Sequence, residues 1–244
     1  MKVLIPMAGR GKRFNDAGYS FPKPIIDVNG KPMIQIIVEN LNFSDKHIFI
    51  SQKEHLEKYA IKEMLELVKK DSDIIPVNEV TEGAACTVLL AKDLINNDEE
   101  LIIANSDQWV NWNSQHFLSY LRGKNADGGI VTFIATHPKW SFVKTDEEGS
   151  VTEVAEKRPI SNIATVGIYY FKKGSDFIKA AEQMIAKNIR TNDEFYVAPV
   201  FNEMIGDKKK ILTYPIAEMR GLGTPEDLKR FIEIIDKKTN AMES

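Results

Sequence analysis

The 244-residue chain contains one cysteine, Cys86, which excludes an intrachain disulfide and fits a reducing compartment. It lies in Ala84-Ala85-Cys86-Thr87-Val88-Leu89, where a small buried hydrophobe accounts for it better than a nucleophile does. Histidine is nearly as scarce, with four residues at 47, 55, 116 and 137 in no ligand-like spacing, so no zinc site is read. No apolar run approaches the roughly 18 residues needed to cross a bilayer. The start, Met1-Lys2-Val3-Leu4-Ile5-Pro6, is too short in its apolar part for a secretory segment and reads as a first strand. A cytoplasmic protein with no membrane partner is expected. Net charge is −3, pI is near 5.9 and no basic stripe is present, which argues against a nucleic-acid partner. There is no linker rich in Pro, Gly or Ser, no repeat and no low-complexity tract. With 43% hydrophobic and 27% charged residues, one large α/β domain over residues 1–244 is expected.

Two phosphate-loop motifs are also missing. No Gly-x-x-x-x-Gly-Lys-Ser/Thr occurs, and the third glycine of a dinucleotide-binding Gly-x-Gly-x-x-Gly is absent. What stands instead is Ile5-Pro6-Met7-Ala8-Gly9-Arg10-Gly11-Lys12-Arg13-Phe14, followed by Pro22-Lys23-Pro24. A short strand empties into a turn whose Gly9-x-Gly11 pair permits positive φ and converging N–H groups. Arg10, Lys12, Arg13 and Lys23 place four cations within fourteen residues, opposed only by Asp16. So local a cluster in an acidic chain points to a polyphosphate site. The flanking prolines fix φ around Lys23 and favour extended neighbours, which makes it a fixed charge.

Apolar segments Val3–Pro6, His47–Ile50, Ile74–Val77 and Leu101–Ala104 alternate with helical patterns, which predicts βαβ units and a mainly parallel sheet. Ile34, Ile37, Val38 and Leu41 mark one helix, Ala60, Met64, Leu67 and Val68 another, and a third is expected from near Gly83 to Ile95. Later strands are predicted at Ile130–Ala135, Phe142–Lys144, Val151–Glu156 and Val166–Phe171, with a turn at Asp146-Glu147-Glu148-Gly149. Helices at Ser175–Lys187 and Pro225–Lys238 complete the pattern. The strand Leu101–Ala104 ends in Asn105-Ser106-Asp107-Gln108, and ligands in open α/β sheets bind beyond such carboxyl ends. Asp107 thus falls where Arg13 and Lys23 also point and suits a Mg²⁺ held against a triphosphate. A turn or capping role is the structural alternative.

The pattern Gly-x-Gly-x-Arg followed by Pro-Lys resembles the nucleotidyltransferases that join a nucleoside triphosphate to a phosphorylated acceptor. The resemblance runs from Ile5 to Leu228 through four motifs in order. It implies a Rossmann-like α/β fold, a mixed, mainly parallel sheet flanked by helices. Residues 1–107 would form the nucleotide-binding half and residues 108–244 a β-rich acceptor half. By position it assigns Met7, Ala8, Gly9, Gly11, Arg13, Lys23, Glu82, Gly83 and Asp107 to the nucleotide, with Arg13, Lys23 and Asp107 catalytic and Asp107 the Mg²⁺ ligand. At Thr81-Glu82-Gly83-Ala84-Ala85 the family places a backbone contact to the base. Closeness to a flat ring would explain Gly83, and capping by Thr81 or Glu82 is the alternative. Asn78 and Glu82 are both candidates for the base edge.

Glu156-Lys157-Arg158-Pro159 resembles the family's Glu-Lys-Pro element, which implies that Lys157 meets the acceptor phosphate and Glu156 the acceptor body. Trp140-Ser141 matches an aromatic-small pair lining that pocket. Gly221-Leu222-Gly223-Thr224-Pro225-Glu226-Asp227 resembles a closing segment whose leading aspartate, a second metal ligand in many relatives, is Gly221 here. Glu218 is a nearby substitute, and Thr224, Pro225 and Asp227 also make ordinary helix-starting chemistry. Within the family the resemblance points to the cytidylyltransferases of capsule assembly, which implies CTP and L-glutamine phosphate as substrates. Such an acceptor demands a cation and an acid, for which Arg158 and Glu156 are available. A sugar 1-phosphate acceptor and a nucleotide-binding module without chemistry are the rival readings.

Overall fold

The computed structural model describes residues 1–243, with side chains through Lys237; Ser244, the last residue of the expected domain, lies outside the described residues. Thirteen strands form among the described residues. In the first half they are β1 (Lys2–Pro6), β2 (Asp27–Val28), β3 (Lys31–Pro32), β4 (Lys46–Gln52), β5 (Asp73–Val77), β6 (Leu101–Ala104) and β7 (Gln108–Asn111). The second half adds β8 (Gly128–Ile134), β9 (Ser141–Thr145), β10 (Val151–Glu156), β11 (Ile163–Phe171), β12 (Ile211–Pro215) and β13 (Glu218–Gly221).

A nine-stranded mixed sheet holds the two halves together. Strands β5, β4, β1 and β6 lie side by side in that order, all parallel. The antiparallel β11 joins β6 on its free edge and continues the sheet to β8 and β9. Beyond them β10 pairs with β9 antiparallel, and β12 with β8 parallel. Buried on both faces, the central strands read as continuous apolar runs. Val3, Ile5, Phe49, Ile102 and Ala104 pack into one core cluster, while Leu4, Ile48, Ile50, Leu101 and Ile103 fill the other. The helices Met33–Leu41 and Ser114–Gly123 cover the first face, and Gly174–Ala186 and Val200–Gly206 cover the second.

The expected elements form within three residues of their predicted ends, with two exceptions, one being the last helix, which was expected to end at Lys238 and runs Pro225–Glu243. The helix expected from near Gly83 to Ile95 is two helices, Ala84–Leu89 and Lys92–Ile95, broken at Leu90-Ala91. The helix Ser114–Gly123 starts on an Asn113 cap, whose side chain accepts from the His116 N–H at 2.9 Å. The turn after β9 closes as predicted, with the Asp146 N–H donating to Ser150 and Gly149 at φ 83°.

Two local features aim the strand ends. The register of β11 against β8 shifts between Thr165 and Tyr169, around Gly167 at φ 76°. The Asn105 N–H donates to the Gly167 carbonyl at 2.9 Å, and a Cβ on Gly167 would overlap the side chains of Asn105 and Gln108. Separately, β7 pairs antiparallel with β13, Gln108 opposite Gly221, and the Leu222 N–H donates to the Asp107 carbonyl at 2.7 Å. That hairpin-like pairing folds Gly221 and Gly223 over the end of β6.

Candidate active site

At the carboxyl ends of β1 and β6 lies a cavity of about 520 Å³. Its walls include Met7, Ala8, Gly9, Gly11, Arg13, Lys23, Gly83 and Asp107, eight of the nine residues expected around the nucleotide. The loop after β1 is tied down at its start. The Met7 N–H donates to Ile50 at 2.8 Å, and the Gln52 side chain donates to the Ala8 carbonyl at 2.8 Å. Of the glycine pair only Gly11 has a positive φ, 61°; a Cβ there would sit 3.5 Å from the Lys23 Cβ, so loop and lysine pack together. The neighbour before Lys23, Pro22, is extended at ψ 141°, whereas Lys23 itself is not. It opens a short 3-10 turn, Lys23–Ile25, in which the Ile26 N–H donates to the Lys23 carbonyl. The turn delivers its ammonium to the Asp107 carboxylate, and both side chains are about one-fifth exposed. Around the pair stand Arg13 and Gly223, where a Cβ would come within 3.1 Å of the Asp107 carboxylate.

Glu82 departs from expectation. It is absent from the cavity wall, because its carboxylate pairs with the Arg190 guanidinium at 2.5 Å on the outer surface. The capping alternative also fails, since the Thr81 hydroxyl donates to the Gly83 carbonyl and meets Thr87, leaving Gly83 an N-cap without a side-chain bond. Gly83 itself has a chain-internal reason. Its φ is 132° and ψ 173°, and a Cβ would collide with the Phe195 backbone, which is hydrogen-bonded on both sides of it. Gly83→Ala is therefore expected to cost on the order of 1–3 kcal/mol from backbone strain alone. Urea unfolding measures this, and wild-type stability would contradict the packing.

A second cavity, about 220 Å³, adjoins the first and shares Arg13, Ala84, Asn105, Asp107, Tyr196 and Gly223 with it. Ser141 and Glu156 line it as expected, and the Ser141 hydroxyl donates to the Glu156 carboxylate. Burial pushes the Glu156 carboxyl above its ordinary range, against the Ser141 bond and the Lys157 charge, which pull it down. Lys157 is not on either wall. At φ 53° its side chain turns to the Tyr196 hydroxyl instead, 2.5 Å away. Arg158 points outward to Glu153 at 2.8 Å and brings no charge to the pocket. Glu218 is likewise diverted, paired with Arg220 at 2.7 Å in a separate groove. The carboxylate nearest a Cβ on Gly221 is that of Asp227, at 3.8 Å, and Asp227 lines the second cavity. The Asp227 N–H caps onto the Thr224 hydroxyl at 3.1 Å, as its helix-starting position predicts.

Sequence reasoning missed Asn105, Tyr196 and Glu194 on these walls. Asn105 had a signal, the polar end of a buried strand; Tyr196 and Glu194 had none in their own segment. Among the described residues no group of three or more His, Cys, Asp or Glu could hold a metal by itself. Mg²⁺ takes one or two carboxylates and completes its shell with phosphates and water, so Asp107 at a polyphosphate-sized cavity fits that ion.

This geometry meets a family match over almost the whole chain. Residues 2–238 match the nucleotidyl transferase family. The chain belongs to that family. The chain is 29% identical over 177 residues to a bifunctional protein GlmU of Methanocaldococcus jannaschii, covering 71% of this chain and 40% of that one. It is 28% identical over 178 residues to a mannose-1-phosphate guanylyltransferase catalytic subunit beta of Xenopus tropicalis, covering 70% and 49%. The chain thus spans less than half the length of these two curated relatives. In structure it superposes on a nucleoside-diphosphate-sugar pyrophosphorylase from Vibrio cholerae with TM-score 0.81 and 26% identity, covering 95% and 99% of the two chains. A UDP-glucose pyrophosphorylase bound to UDP-glucose shares the fold at TM-score 0.78 and 19% identity, covering 97% and 98%. No helix among the described residues is long and apolar enough to cross a membrane.

Proposed function

We propose that the chain transfers a nucleoside monophosphate from a nucleoside triphosphate to a phosphorylated acceptor and releases pyrophosphate, with a sugar 1-phosphate as the preferred acceptor class. The observation that carries this reading is the Lys23–Asp107 pair: both residues line a polyphosphate-sized cavity, and Asp107 also lines the smaller polar one beside it. An acceptor phosphate oxygen attacks the α-phosphorus in line, its P–O bond forms, and the bond to the β-phosphate oxygen breaks. No base is required, because a phosphate monoester is mostly dianionic at neutral pH. Both reactants are anions, so positioning and charge neutralisation supply the acceleration. Mg²⁺, held by Asp107, would neutralise triphosphate oxygens. Arg13 holds the β- and γ-phosphates, and Lys23 leaves Asp107 for the α-phosphate as negative charge builds there. Glu156 accepts hydroxyls of the acceptor body, with Ser141 fixing its orientation.

The preference for a sugar acceptor draws on the relatives, whose names specify sugar nucleotides or sugar phosphates. CTP with L-glutamine phosphate is the second reading. It is favoured by the ionisable groups of the smaller cavity, where Glu156 and Asp227 could meet an ammonium and Lys139 a carboxylate. A screen of four triphosphates against sugar 1-phosphates and glutamine phosphate, with diphosphate-linked products identified by mass spectrometry, decides between them. Product from sugar 1-phosphates supports the preferred reading, product from glutamine phosphate alone replaces it with the second, and no product with any pair contradicts both. In the same assay Lys157→Ala is expected to raise the acceptor KM or lower turnover while triphosphate binding stays near wild type. Equal loss of triphosphate binding would remove Lys157 from the acceptor side.

A further inference from the structure

Tyr196 stands where the two cavities meet and lines both. Its place is fixed by the neighbouring residue rather than by its own side chain. The Phe195 N–H donates to Glu82 at 2.8 Å, and the Phe195 carbonyl accepts from Ala85 at 2.9 Å. On the outside the Arg190 guanidinium lies 4.0 Å from the Phe195 ring centre and bonds to Glu82 and to the Asp193 carbonyl. Gly83 leaves no room for the strip to shift toward the helix it abuts. A tyrosine held this firmly can serve as a post for something less rigid.

That partner is Lys157. Its ammonium donates to the Tyr196 hydroxyl at 2.5 Å, so one side chain holds it. Burial and the neighbouring Glu194 carboxylate push the Tyr196 pKa up, against the nearby Arg13, so the hydroxyl keeps its proton. Lys157 itself lines neither cavity, but Tyr196, whose hydroxyl holds its ammonium, lines both.

We propose that Tyr196 is a positioning residue that stations the Lys157 ammonium at the boundary between the triphosphate and acceptor cavities and releases it to the acceptor phosphate. This rests on the nucleotidyl-transfer reading for its kinetic consequence, but the contact is testable without turnover. Tyr196→Phe keeps the ring and removes the hydroxyl. Limited acylation of the folded protein by acetic anhydride, mapped by peptide mass spectrometry, reads the freedom of Lys157 directly. Lys157 should be labelled slowly in the wild type and several-fold faster in Tyr196→Phe, with other lysines unchanged. Equal labelling overturns the proposal, whatever the enzyme does. In turnover, Tyr196→Phe should raise the acceptor KM roughly tenfold, the weight of a charge-assisted hydrogen bond, and leave triphosphate affinity and thermal midpoint near wild type. In a Lys157→Ala background the same change should have almost no further effect. Independent, additive losses would show that Tyr196 acts on its own and overturn the assignment. A wild type inactive with every acceptor would count against nucleotidyl transfer, and the labelling ratio would still decide whether Tyr196 holds Lys157.

Discussion

Replacing Lys23 with alanine is expected to lower turnover about 10²–10³-fold, the usual cost of losing one donor aimed at developing charge. Triphosphate affinity should fall far less, because Arg13 and the loop after β1 still meet the phosphates. The split follows from geometry. Lys23 is held in a short turn between two prolines, packed against Gly11, and faces Asp107 where the cavities join. Its charge is needed most when the α-phosphorus carries oxygens of both the attacking and the leaving groups. Steady-state turnover set beside equilibrium triphosphate binding measures the two effects. Turnover within a few-fold of wild type would reduce Lys23 to a structural partner of Asp107.

Asp107→Asn should produce the second large effect. The variant keeps shape and loses the charge, so Mg²⁺ affinity and activity should fall together. The fold should survive, because the main-chain bond from Leu222 to the Asp107 carbonyl is untouched. Metal titrations at fixed triphosphate, with circular dichroism as the folding control, test this. Unchanged metal dependence would move the ligand elsewhere, and Asp227 would be the next residue to replace. Glu218 would not, since it is turned away toward Arg220.

The first half of the chain was the more legible in sequence. Strands β1, β4 and β6 are buried apolar runs between helical patterns, β5 is a half-exposed edge strand, and the alternation of strand and helix predicts their parallel pairing. The loop after β1 announced itself through charge crowded onto glycines. Harder to foresee was anything set by pairing across the chain. The strands β7 and β13 are short and partly polar, yet their register is what brings Gly223 onto Asp107. The shift in β11 at Gly167 aims Asn105 into the cavities, and one glycine in an apolar run gives little warning of it. Side-chain direction was the weakest point. Glu82 and Arg158 were placed correctly along the chain, but oppositely charged neighbours draw each outward, Arg190 for one and Glu153 for the other. Lys157 likewise sits beside the smaller cavity and is drawn off its wall by Tyr196, a partner from a distant segment.

The central claim is attack by an acceptor phosphate oxygen on the α-phosphorus, and isotope tracing addresses it most directly. A sugar 1-phosphate carrying ¹⁸O in its non-bridging phosphate oxygens would be incubated with triphosphate, Mg²⁺ and the protein, and the products followed by ³¹P NMR. The account predicts unlabelled pyrophosphate and a diphosphate-linked product with ¹⁸O in its bridging position. Labelled pyrophosphate, or consumption of triphosphate to inorganic phosphate without a diphosphate-linked product, would contradict it.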